Sequence, residues 1–317
     1  MSTDTSQAVR VVGSPFLSGW RDSVSRSGHI FGYLLLLPPF IVYLYFILIP
    51  LFRTGYFSMT SWNGATVEKP FIWFDNFVRM ATDPLFWGAF SHTAVWVVVG
   101  TIIELALALG LAMFVWNRPR GFMGFRTIFF MPLVLPAVVV GIVWVWIYSP
   151  LFGILNRTLK TVGLDHLAIG WLGEPSVALY AVLAASIWSH LGLSFVIFVA
   201  ALQNVDHDLL DAARIDGANA WERFRFVVVP QLSNSITLVT VLLLVHGLQG
   251  FDLVWVMTHG GPNDSTQLLA TYAYQKAFVE NEAGYGSAIS LVLAALALIV
   301  SIATINLRER SAAGQQQ

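Results

Sequence analysis

Six mostly apolar stretches, each about 20 residues long, constrain this chain more than any other feature. That is the length an α-helix needs to cross the hydrocarbon layer of a bilayer. Residues 30–52 contain no Asp, Glu, Lys or Arg. Residues 89–116 contain a single acid, Glu104, and 127–148 contain none. Residues 177–202 enclose His190, 233–257 enclose His246 and Asp252, and 288–307 form the last stretch. In lipid every backbone donor and acceptor must be satisfied internally. The pattern therefore predicts an all-α, polytopic membrane bundle of about six helices. Only 11% of the 317 residues are charged, against about 25% in a soluble domain, too few to coat a water-facing surface.

There is no long internal repeat and no low-complexity segment, so 30–307 reads as one membrane domain. Residues 1–29 are polar, rich in Ser, Thr and Gly, and lack the apolar core of a cleavable signal. They read as a cytoplasmic tail, as do 308–317. The net charge of −1 gives no pull toward nucleic acid. The absence of cysteine excludes a disulfide framework and Cys-based zinc or redox chemistry.

Loop charge sets the orientation. With the N-terminus inside, the inner segments hold 11 of the 17 basic residues, among them Arg10, Arg118, Arg120, Arg126, Arg214 and Arg308. The outer segments hold Arg53, Lys69, Arg79, Arg157, Lys160 and Lys276. Basic residues favour the cytoplasmic side, which places both termini there. Two outer segments, 71–87 and 267–279, mix aromatic with polar residues and are expected to form short helices lying on the membrane surface.

Residues 203–232, joining the fourth and fifth spans, are the most charged stretch and fall on the inner side. Asp208 is expected to cap a short helix carrying Leu209, Leu210, Ala212, Ala213 and Ile215. Gly217 stands where such a helix stops, because glycine tolerates positive φ. Asn219 followed by Glu222 predicts a second cap, and Pro230 marks the entry to the fifth span. Two short helices at an angle result, with small residues that let another backbone approach closely.

At these residues the chain resembles the membrane subunits of binding-protein-dependent ABC importers. The signature stands here as Asp211-Ala212-Ala213-Arg214-Ile215-Asp216-Gly217-Ala218, with Pro230 at the expected distance. The segments 251–258, Gly260-Gly261-Pro262, Trp73-Phe74-Asp75-Asn76-Phe77 and the paired Pro132 and Pro136 resemble the carbohydrate-uptake branch, and within it the larger membrane subunit of the maltose transporter. The likeness runs from residue 30 to 307. It implies a type I importer permease fold. It also implies that the 203–232 loop docks in a cleft of a partner ATPase through Asp211, Ala212, Ala213, Asp216, Gly217 and Pro230. Asp211 stands where the family usually has Glu, which keeps the charge and shortens the reach. The implied partners are a second, homologous permease, an ATPase dimer and an extracytoplasmic solute-binding protein, in a bacterial or archaeal plasma membrane. ATP and Mg are used by the ATPase subunits, and this chain binds no cofactor.

The residues agree that ATP chemistry lies elsewhere. The three lysines, Lys69, Lys160 and Lys276, sit in no phosphate-binding Gly-rich loop. No nucleophile–base pair or His-x-x-x-His metal spacing occurs, so the chain is expected not to be an enzyme. Polar groups at membrane depth mark function by default, which singles out Glu104, Ser189, His190, His246, Gln249 and Asp252. Leu243, His246, Gly247 and Gly250 fall at i, i+3, i+4 and i+7, hence on one helix face. By resemblance this face lines the sugar pathway, together with Ser189, His190 and Leu193 on the fourth span and Leu133 and Ala137 on the third. Its leucines and glycines offer few hydrogen bonds. The substrate is then either held loosely or contacted mostly by the partner permease. Packing between helices is the competing reading for His190, His246, Gly247 and Gly250, and a pairing between helices is the reading for Glu104. Asp252 reads as a helix-end or gate contact. An ion-gradient-driven carrier is the alternative function. Such folds often show two related halves, which this sequence lacks. Which sugar or polyol is carried is not legible.

Overall fold

The computed structural model describes residues 35–116 and 122–314. The expected tail over 1–29, and Arg118 and Arg120, lie outside the described residues. The described chain is almost entirely helical, with one isolated antiparallel bridge between Thr60 and Phe71. Contacts divide it into a unit ending at Thr54 and a second unit from Gly55 onward. The helix Leu35–Phe57 is 23 residues long. Its apolar side chains, among them Leu36, Phe46 and Phe52, are exposed, as suits a lipid-facing span.

Pro84–Trp116, Pro175–Leu202 and Ala283–Thr304 are each long and apolar enough to cross a membrane. Two further spans are bent. Thr127–Val134 and Ala137–Ile147 meet at 112°, and Ala220–Gln231 and Ser233–Leu248 meet at 73°. Counting each bent pair as one span gives up to six crossings, matching the expected number. The first bend follows from the paired prolines. Pro132 sits in the 3₁₀ turn Met131–Val134, and Pro136, at ψ 140°, precedes the next helix. Proline lacks the N–H that would carry the helix through and pushes the residue before it out of the α region. The broken segment packs on the fourth span at Gly192, where an added Cβ would lie 2.5 Å from the Phe129 carbonyl oxygen.

One expectation is corrected. The fifth span is not continuous over 233–257: the helix ends at Leu248, and Asp252–Met257 is a separate short helix after a non-helical break at Gly250 and Phe251. The segment 267–279 contains an expected short helix, Leu269–Tyr274, which buries Leu269, Tyr272 and Ala273 in a cluster with Tyr285, Ala288 and Ile289 of the last span, while Phe278 and Val279 are exposed. The last helix continues to Gly314, and its stretch apolar enough to cross a membrane ends at Thr304. The segment 71–87 does contain the expected short helix, Asp75–Thr82. It is pinned by buried Asn76, whose Nδ2 donates to the carbonyls of Ser58 (2.8 Å) and Thr60 (2.9 Å).

One carboxylate organises that end of the second unit. Asp83 stands between Asp75–Thr82 and Pro84–Trp116. Its Oδ1 accepts from the Leu85 N–H at 2.9 Å, with Pro84 in the favoured first position of the helix. Its Oδ2 accepts from the hydroxyls of both Tyr272 and Tyr285 at 2.6 Å. Arg79 lies 4.2 Å over the Tyr285 ring and pairs with Glu282 at 2.8 Å. Burial acts to raise the Asp83 pKa. The two hydroxyls and the Leu85 and Phe86 N–H groups outweigh it, and the carboxyl ends below its usual range.

A group whose folded pKa is depressed contributes stability that is present above its unfolded value and lost as pH falls through the folded one. Asp83→Ala should therefore destabilise the purified protein at pH 7 by about 1.5–3 kcal/mol, the scale of hydrogen bonds to a charged group. The gap to wild type should narrow on acidification below about pH 4. Thermal melts in detergent at both pH values read this. A variant as stable as wild type at pH 7 removes the role given to Asp83.

Candidate coupling elbow and translocation pathway

The 203–232 loop forms a capped elbow. His207–Ile215 is its first helix, and its N-cap is Asp206, whose Oδ1 accepts from the Asp208 N–H at 2.8 Å. The expected cap, Asp208, lies instead in the first turn, where the helix dipole favours a carboxylate. The Asp206 N–H donates to Gln231 Oε1 at 2.8 Å, which ties the start of the elbow to its end.

The first helix stops as expected. Gly217 has φ +82°, the Gly217 N–H donates to the Arg214 carbonyl (3.1 Å), and the Ala218 N–H donates to the Ala213 carbonyl (2.9 Å). This pair of bonds satisfies carbonyls that the helix end would leave orphaned. Asn219 and Glu222 then form a reciprocal cap. Asn219 Oδ1 accepts from the Glu222 N–H (3.0 Å), and Glu222 Oε2 accepts from the Asn219 N–H (2.7 Å). Arg223 donates to the Ala218 carbonyl at 2.7 Å and braces the turn between the helices.

The elbow has two faces. Val205, Leu210, Val228 and Leu232 are buried and join a cluster with Ala108, Ala112 and Val115 of the second span and Phe195, Phe198 and Leu202 of the fourth. The opposite face is exposed: Asp211, Ala212, Asp216, Gly217 and Pro230 are open, and Ala213 is half-buried. Ile215 is 87% exposed and Trp221 63% exposed, more apolar surface than a loop of this size leaves open without a partner. Asp211 pairs with Arg214 at 2.7 Å. Both are largely solvated, so this pair adds little stability and leaves the carboxylate available.

The residues assigned to a pathway are only partly brought together. His190 on the fourth span and His246 on the fifth meet with ring centroids 4.1 Å apart. His190 Nδ1 lies 2.9 Å from the Ser186 carbonyl and 2.9 Å from Ser189 Oγ. A carbonyl only accepts, so this contact places the proton on Nδ1 and leaves Nε2 of the neutral ring as an acceptor. Ser189 is buried and donates to Ser186, whereas Leu193, one turn from His190, is exposed. Leu133 sits at the proline break and Ala137 opens the helix that follows it.

On the fifth span, Leu243, His246 and Gly247 share a helix, but Gly250 lies past its end. The two glycines serve close packing. A Cβ on Gly247 would lie 3.2 Å from Val97 Cγ2, and one on Gly250 would lie 2.9 Å from Trp96 Nε1. Both contacts are with the second span. Leu243 packs against the cluster under the elbow. Glu104 is buried and accepts from Ser194 Oγ at 2.9 Å, the expected pairing between helices. Asp252 begins its short helix and is exposed.

The Asp206–Gln231 tie and the buried Val205, Val228 and Leu232 were not anticipated, and of the apolar side expected on the first helix only Leu210 is buried, with Leu209 and Ile215 exposed. The apolar spacing 205, 210 and 228, 232 carries a weak signal for the second set. No local signal links Asp206 to a glutamine 25 positions away. Among the described residues no group of three or more His, Cys, Asp or Glu could hold a metal ion.

The family model described as "Binding-protein-dependent transport system inner membrane component" matches residues 104–310. A lactose transport system permease protein from Rhizobium radiobacter is 33% identical over 285 residues, covering 89% of this chain and 95% of the relative. A diacetylchitobiose uptake system permease protein from Streptomyces coelicolor is 33% identical over 272 residues, covering 82% of this chain and 77% of the relative. A chain in the crystal structure of a bacterial ABC transporter that imports alginate superposes with TM-score 0.76 at 23% identity, over 92% of this chain and 98% of that one, which shows a common fold. With two thirds of the chain inside the family model and relatives matched nearly end to end, this chain belongs to the family of binding-protein-dependent transport system inner membrane components.

Proposed function

We propose that this chain is one of two permease subunits of an ATP-driven importer for a sugar or related polyol, with the elbow and both termini in the cytoplasm. Family membership sets aside the ion-gradient-driven carrier. The sugar class is supported by the names of the relatives, a lactose and a diacetylchitobiose permease. ATP and Mg act on partner ATPase subunits, and an extracytoplasmic solute-binding protein delivers the substrate. This chain performs no chemistry itself.

The elbow carries the reading. Its outer face presents small residues beside a carboxylate, Ala212 and Asp211, to a docking cleft. Its inner face is rooted in the second and fourth spans through Leu210, Val228 and Leu232. Caps at Asp206 and Asn219 and the left-handed Gly217 stiffen what lies between. A push on the outer face then moves the span ends rather than deforming the loop. Closure of the ATPase dimer on ATP would in this way tilt the bundle between inward-open and outward-open states.

His190 and His246 bridge the fourth and fifth spans, the pair of helices that the elbow joins. The His190 Nε2 acceptor suits a sugar hydroxyl, and the exposed Leu193 face beside it suits a pyranose C–H face. The imidazole contact would then close the route in one state and part to admit substrate in the other.

Three outcomes test the reading. Gly217→Pro fixes φ near −65° where +82° is needed and removes the N–H bonded to Arg214. It should leave membrane insertion intact and reduce ATP-driven uptake in cells to background. Transport at the wild-type rate would end the coupling role. His246→Trp overfills the contact between the fourth and fifth spans and should abolish uptake while the complex still assembles on an affinity column. Unchanged uptake kinetics would remove this face from the route. The chain lacks cysteine, so single cysteines report orientation directly. Ile215→Cys should resist a membrane-impermeant maleimide in intact cells and react after permeabilisation, and Val67→Cys should react in intact cells. The reverse pattern would invert the topology.

A further inference from the structure

A cavity of about 250 Å³ lies beneath the elbow, and its lining includes none of the residues assigned above to docking or to the pathway. Its buried floor is Leu210 and Val228. Trp116, the last residue of the second span, walls it and stacks on His207 with ring centroids 5.9 Å apart. Arg214, which is exposed, and Arg223 bring two guanidinium groups to the lining, and no carboxylate is among the described residues that line it.

Charge and position together identify an occupant. Arg223 uses one of its five N–H donors on the Ala218 carbonyl, and among the described residues Arg214 makes a solvated pair with Asp211. Guanidinium groups match phosphate oxygens in geometry as well as charge. The wall residue Trp116 ends a 33-residue apolar helix, the level at which tryptophan sits among lipid headgroups. The volume falls below the 300–1,000 Å³ of a typical small-molecule pocket. It takes a headgroup and the first methylenes, with acyl chains running back into the bilayer. We propose that this cavity binds the phosphate headgroup of an anionic phospholipid, wedged between the end of the second span and both helices of the elbow. A lipid there would brace the elbow, and membrane composition would tune the step that couples it to the bundle. The site stands on the cavity's own chemistry, and its test reads lipid binding directly, so it is judged separately from the transport reading.

The test uses the purified, delipidated importer complex in neutral detergent, titrated with phosphatidylglycerol or phosphatidylcholine and read by native mass spectrometry. At about 1 kcal/mol per arginine near an anionic headgroup, the first phosphatidylglycerol should bind about 30-fold more tightly than phosphatidylcholine. Arg214→Gln with Arg223→Gln should abolish the preference. Ala220→Trp, which fills the cavity and keeps both cations, should abolish it as well, with melting temperatures showing that each variant is folded. Several results would overturn the proposal. One is a wild type without preference. Another is a preference that survives Ala220→Trp, which would make it a surface charge effect. A third is full displacement of the lipid by millimolar inorganic phosphate, which would make it a free-anion site.

Discussion

The structure depends on one continuous apolar contact, the column that runs from the elbow into the bundle. Leu210 of the first elbow helix and Val228 and Leu232 of the second meet Phe198 and Leu202 of the fourth span and Val115 of the second. Burying side chains of this size is worth about 1.5–3 kcal/mol each relative to exposing them to water. In lipid that drive vanishes between helices, but the elbow lies at the end of the spans, where water is the competing solvent. The hydrophobic effect therefore fastens the elbow to the bundle at the point where the bundle itself must rely on close packing. Interiors of this density shift as units rather than deforming, which is the property the proposed coupling needs.

Close packing explains the placement of glycine in the spans. Gly192 admits the broken third span, Gly141 admits the Asp252–Met257 helix, and Gly247 and Gly250 admit the second span. At Gly141 a Cβ would come within 2.7 Å of Val256. Small residues at crossings are the usual means of helix association in membranes, because van der Waals contact is the attraction available there. The competing reading of Gly247 and Gly250 as packing residues is therefore the one their surroundings support. The histidine pair supplies the polar complement, a contact between the middle of the fourth span and the last turn of the Ser233–Leu248 helix.

The spans were legible because lipid imposes a simple rule on composition, and every expected span overlaps a helix. The ends of the elbow were legible for a similar reason. Gly217 and the Asn219–Glu222 pair act within three residues of themselves, so local chemistry sufficed. What stayed hidden depends on distant partners. Asp206 outcompetes Asp208 as cap in a loop whose start is held by Gln231, and nothing near Asp206 announces that bond. The short helix in 267–279 was legible, but the bond from its Tyr272 to Asp83, 189 positions away, was not. The third span was expected to be continuous over 127–148; the prolines at 132 and 136 break it, and the broken segment packs at Gly192.

The break after Leu248 shows how these levels connect. A continuous fifth span would carry His246, Gly250 and Asp252 as one rigid rod. The chain instead leaves the helix at Gln249, passes Gly250 in contact with Trp96, and restarts at Asp252. Both ends of the fifth span are thus articulated, by the 73° bend at the elbow and by this break beyond His246. A helix bounded by two bends can rotate while the segments beyond it stay in place. The lower bend is held by the elbow's apolar column. The upper one adjoins Leu268 and the helix whose Tyr272 is fixed to Asp83. Between them lies the face that carries His246, the part of the span that the proposed cycle would have to move.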